Sequence, residues 1–89
     1  MCETKREALL KEAIEIVTKN RNAEYGEPEQ NFFLISAFWS EYLNIPVSSQ
    51  DVAIMMALLK IARLKANKSH HDSMVDVAGY MACLAELAE

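Results

Sequence analysis

Four charged residues could act together: Lys60, Arg63, Asp72 and Asp76, all within KIARLKANKSHHDSMVDVAGY at residues 60–80. Lys60, Arg63 and Asn67 recur at spacings of three and four, so a helix sets them on one face. Asp72, Asp76 and Tyr80 share a face of a following helix by the same rule. In an antiparallel hairpin turning near residues 67–68, Arg63 is expected level with Asp72, and Lys60 level with Asp76. A carboxylate in an apolar interior is costly without a partner, so Asp76 requires one. Two chemistries satisfy it. In one, Lys60 or Arg63 pairs with it as a buried ion pair that fixes the hairpin's register. In the other, Asp72 and Asp76 hold Mg²⁺, which takes oxygen ligands, and the basic residues neutralise a polyphosphate. Spacing alone leaves both open.

Other candidates lie on the flanking elements. Trp39, Tyr25 and Asn31 could stack on and read a nucleobase, with stacking worth roughly 1–3 kcal/mol. Alternatively, Trp39 belongs to the core, Tyr25 covers a core edge, and Asn31 caps a helix. His70 and His71 are adjacent and diverge on a helix, which disfavours a two-histidine metal site. They fit a solvated turn better than a phosphate contact.

Four helices must position these residues. A first helix is expected over residues 4–20, opened by a Thr4/Glu7 capping box, with Leu9, Leu10, Ala13, Ile16 and Val17 on its apolar face. Gly26 and Pro28 break the pattern, and a second helix runs over about residues 29–43. Ile45–Pro46 ends it, because the residue before proline leaves the helical region. Ser48 and Asp51 form a second capping box, which accounts for Asp51 without catalysis. Residues 52–59 carry no charge, so this third helix is expected to be buried on all sides, within the domain or an oligomer. Ser69 and Asp72 repeat the capping pattern before the fourth helix, where Gly79, Ala78 and Ala82 permit close helix approach.

The bulk numbers agree with a single all-α domain over residues 1–89. Hydrophobic residues make up 52% and charged residues 25%, enough to fold and too apolar for disorder. So short a chain is expected to complete its core as a homo-oligomer. A net charge of −4 argues against nucleic acid as partner. Neither a signal peptide nor a bilayer-length apolar run is present, and Cys2 and Cys83 have no metal spacing, which together suggest a cytoplasmic protein with reduced thiols.

The ordered set Tyr25-Gly26, Asn31-Phe32, Trp39-Ser40, Asp51-Val52-Ala53, Met55-Met56, Lys60-Ile61-Ala62-Arg63, Asp72 and Val75-Asp76-Val77-Ala78-Gly79-Tyr80 resembles a small phage and prophage family described as MazG-like. The resemblance covers roughly residues 21–86. It extends more distantly to all-α nucleoside triphosphate pyrophosphohydrolases, and implies a four-helix bundle, oligomerisation, a nucleotide ligand, and Mg²⁺ held by E-x-x-E and E-x-x-D pairs. On that likeness Asp76 corresponds to the last acid and is the candidate catalytic and metal-binding residue. Asp72 adjoins Ser73, which replaces its glutamate partner, and Lys60 and Arg63 stand where the third helix should supply acids. Glu41 and Asp51 do not sit at matching positions. The function implied is nucleotide binding by Lys60, Arg63, Trp39, Tyr25, Asn31, Asp72 and Tyr80 at a degenerate metal site. Hydrolysis, sequestration of a linear or cyclic nucleotide signal of host immunity, and a purely structural module are the three uses weighed.

Overall fold

The computed structural model describes residues 3–20 and 27–87, which form four α-helices and no strand. Helix α1 spans Lys5–Glu15 and continues as a π-helical turn over Ile16–Asn20. Helix α2 is Pro28–Leu43, α3 is Ser49–Ala66 and α4 is His71–Leu87. The expected all-α, four-helix reading therefore holds for the described residues. Tyr25 and the rest of residues 21–26 lie outside them.

Local chemistry sets the boundaries. Thr4 caps α1, its Oγ1 accepting from the Glu7 N–H at 3.1 Å. Pro28 sits in the first turn of α2, where its missing N–H costs nothing. Helix α2 ends at Asn44, which takes the left-handed conformation at φ 58°, one that Asn tolerates better than other side chains do. The Ser40 hydroxyl then accepts from the Val47 N–H at 2.8 Å and reaches the Val47 carbonyl at 3.1 Å, pinning the loop that carries Pro46. Ser48 and Asp51 make both bonds of the expected capping box at the start of α3.

The start of α4 differs from the sequence pattern. The cap is His70, whose Nδ1 accepts from the Ser73 N–H at 3.3 Å and lies 2.7 Å from the Ser73 hydroxyl. Its carbonyl accepts the first helical bond, from Met74. Ser69 is excluded from that role because Asn67 organises the turn, accepting from the Ser69 N–H through its side chain and from the His70 N–H through its carbonyl. The Ser69/Asp72 box is thus replaced by a His70/Ser73 pair one residue on.

Helices α3 and α4 form an antiparallel hairpin with the most extensive contact in the fold. Its open end is tied by Gln50 Nε2, which donates to the Leu87 carbonyl at 3.3 Å. Helix α1 packs along α4, and α2 along α3 with a smaller contact to α4. His71 and Glu12, 2.9 Å apart, add a surface tie between α4 and α1. The core gathers Phe32, Val52, Ala53 and Cys83, with Ile35, Trp39, Met56, Tyr80 and Leu84 against it. Val52 and Val75 are fully buried, each worth about 1.5–3 kcal/mol of transfer free energy. Gly79 lets the π-helical turn press onto α4: a Cβ there would lie 3.1 Å from Val17 Cγ1.

Burial of helix α3 on all sides, expected within the domain or an oligomer, is met only in part by this chain alone. Apolar all round, the helix is buried within this chain on one side only. Val52, Ala53 and Ala57 face inward, whereas Ile54, Met55, Leu58, Leu59 and Ile61 are exposed. The cause is the number of helices available: α2 and α4 cover one side of α3, and none of the described elements covers the other.

Candidate functional site

The hairpin brings together one of the two charge pairs that spacing placed level. Lys60 Nζ lies 2.9 Å from Asp76 Oδ2, and both side chains are largely covered. One turn nearer the loop, Arg63 and Asp72 are both exposed, and no salt bridge joins them among the described residues. The difference follows from helix geometry. Lys60 and Asp76 fall where α3 and α4 are pressed together, while Arg63 and Asp72 lie by the turn, where solvent competes for each charge.

Asp76 also borders a cavity of about 290 Å³. One wall comes from Ile16 and Val17 of the π-helical turn, a second from Asn31, Phe32 and Ile35 of α2. Helix α4 closes it with Val75, Asp76, Gly79 and Tyr80. The Phe32 and Tyr80 rings meet at a 6.1 Å centroid separation, tilted by 50°, and set the shape of the apolar floor. Three of the lining residues carry polar side-chain groups: Asn31, Asp76 and Tyr80.

The candidates named from sequence therefore divide. Asn31, Asp76 and Tyr80 line the cavity, and Lys60 pairs with Asp76 without lining it. Trp39 packs against the core cluster and does not line the cavity, nor do Arg63 and Asp72. Tyr25 lies outside the described residues. The residues present do not fit a resident Mg²⁺. Among the described residues no three of His, Cys, Asp and Glu come together as a metal set, and the Asp76 carboxylate is occupied by an ammonium. No step through a bound metal follows from this arrangement.

Sequence reasoning missed the apolar walls. Gly79 was legible as a point of close approach, but its partner Val17 was not, since the π-helical turn that presents Val17 leaves no mark in the apolar spacing. His70 is exposed in the turn, as expected, and what the sequence did not show is that its ring also caps α4 at the buried Ser73.

A family model described as a domain of unknown function, DUF6378, matches residues 8–88. Among curated proteins, the Gene 55 protein of Mycobacterium phage D29 is 42% identical over 83 residues, covering 93% of this chain and 55% of that protein. The Gene 55 protein of Mycobacterium phage L5 is 38% identical over 81 residues, covering 90% of this chain and 52% of that protein. The chain thus spans about half the length of these relatives. No solved structure gives a significant match.

Proposed function

As the chain belongs to the DUF6378 family, a domain of unknown function, we propose a function from its cavity: the protein binds a nucleotide between α2, α4 and the π-helical turn. The observation that carries this reading is the cavity itself. At about 290 Å³ it stands near the lower end of small-molecule pockets, roughly 300–1,000 Å³, and suits a base with its sugar. Its composition is the usual one for such sites, apolar and aromatic walls with a few polar groups that fix orientation. The Asn31 amide offers both a donor and an acceptor to a base edge, and Asp76 accepts from a base amine or a ribose hydroxyl. Arg63, exposed on α3 one turn beyond Lys60, would supply a cation for a phosphate.

Retention of the nucleotide fits this chain better than Mg²⁺-dependent release of pyrophosphate, because Asp76 is paired with Lys60. In the phage setting of its relatives, retention would withhold a nucleotide signal from host immunity. A thermal-shift screen with linear and cyclic nucleotides, with and without Mg²⁺, tests the reading. A true ligand at a hundredfold excess over Kd stabilises the fold by about 2.7 kcal/mol. A flat response across the panel would rule out nucleotide binding, and pyrophosphate release would restore the hydrolase.

The Lys60–Asp76 pair favours a second reading, an interaction module in which the charges only hold the hairpin in register. Under that reading the same screen gives no shift, and the two residues remain coupled in stability.

A further inference from the structure

We infer that the outward face of α3 is a self-association surface, occupied by the same face of a second copy running antiparallel and centred on Leu58. The inference stands independently of the nucleotide reading.

The first ground is area. A compact monomer of 10.1 kDa should expose about 5,300 Å², whereas this chain exposes 6627 Å². Its radius of gyration is 14.2 Å, against about 12 Å for a compact domain of this length. The excess of about 1,300 Å² per chain matches what each partner of an obligate homodimer covers, in interfaces of roughly 2,000–5,000 Å² in total.

The second ground is where the apolar area sits. Ile54, Met55, Leu58, Leu59, Ile61 and Ala62 occupy the side of α3 away from the core, and all six are exposed. No charge interrupts them. Helix α2 also exposes Phe33, Leu34, Phe38 and Tyr42, but Gln30 and Glu41 are interspersed among them. Depletion of charge at the centre is what separates a buried interface from ordinary surface.

The third ground is charge placement. The face is bounded by Asp51 at one end and Lys65 at the other, both exposed, and Leu58 lies midway between them. A twofold axis through Leu58 sets Asp51 opposite Lys65 of the partner subunit, about 10 Å from the axis, and repeats that pair at the other end. The same axis sets Met55 opposite Ile61 of the partner subunit, and Ile54 opposite Ala62 of the partner subunit. A parallel arrangement would instead place like charges together.

Sedimentation equilibrium at micromolar protein should give about twice 10.1 kDa for the wild type. Leu58→Glu should return the mass to that of one chain with its far-UV helix signal kept, since Leu58 makes little contact inside the monomer. Lys65→Glu, which faces Asp51 with a like charge, should weaken the dimer less. On a Cys2→Ser background, Leu58→Cys should cross-link to its own copy on mild oxidation, and Ile54→Cys alone should not. A monomeric wild type, or an unchanged mass for Leu58→Glu, overturns the inference. A dimer in which Ile54→Cys links, with or without Leu58→Cys, overturns the antiparallel register.

Discussion

Lys60 Nζ stands 2.9 Å from Asp76 Oδ2, with 15% and 18% of the two side chains exposed. The pair joins α3 to α4 at the border of the cavity, so it belongs at once to the packing of the hairpin and to the wall of the candidate site.

Breaking the pair from one side should destabilise the fold. Asp76→Ala strands an ammonium in an apolar contact and is expected to cost about 3 kcal/mol, at the low end for buried pairs because some solvent reaches it. Lys60→Met with Asp76→Leu should recover most of that loss. Urea denaturation of the two single variants and the double gives the coupling directly, and a coupling near zero would mean the pair holds nothing.

His70 should act as a helix cap rather than as a ligand. His70→Ala removes the acceptor of the Ser73 N–H and is expected to cost about 1 kcal/mol, whereas His70→Asn, a strong capping residue, should cost far less. Equal losses for the two variants in thermal melts would show that the imidazole does something other than cap.

Gly79→Ala sets two effects of similar size against each other. Helix propensity favours alanine by about 1 kcal/mol, and the new Cβ presses on Val17 Cγ1 at 3.1 Å. Val17 is a side-chain contact at the cavity edge and can give way, so the net change in stability should be under about 1 kcal/mol. Gly79→Leu cannot be accommodated in this way and should fill the cavity, abolishing any nucleotide-induced shift in melting temperature.

If a nucleotide binds as proposed, Asn31 and Arg63 should lose different parts of it. Asn31→Ala should weaken nucleosides and nucleotides alike, by the roughly 1–3 kcal/mol of an unpaired polar group. Arg63→Ala should weaken only phosphate-bearing ligands, and less so as salt rises, since Arg63 is exposed. Calorimetric titration with a nucleoside and its monophosphate separates the two, and equal losses for both ligands in Arg63→Ala would refute the phosphate assignment.

Much of the fold could be read in advance because it rests on local signals. Ser48 and Asp51 are a complete capping box in the sequence and in the structure, and Pro28 opens α2 as its chemistry requires. The level placement of Lys60 and Asp76 needed only helical spacing and a short turn. Arg63 and Asp72 obeyed the same spacing and did not pair, because spacing gives angular position and says nothing of how closely two helices approach. The cap of α4 was displaced by one residue for a related reason: Asn67 closes the turn through bonds that no single-helix pattern contains. Trp39, by its sequence chiefly a core residue, packs against the core, whereas only packing shows that Asn31 lies beside the cavity.

Helix α3 has apolar residues on every side, so burial alone hardly distinguishes one rotation about its axis from another. Val52 and Met56 point inward together with the small Ala53 and Ala57, while Ile54, Leu58 and Ile61 of similar size point outward. Among the residues that α3 turns toward the rest of the chain, Lys60 is the one with a fixed electrostatic address, and only one rotation brings it to Asp76. The ion pair then works as a rotational key. Replacing both partners with apolar residues should leave the melting temperature nearly unchanged while broadening the near-ultraviolet circular dichroism and the methyl resonances of α3, as the helix samples orientations that the charge had forbidden.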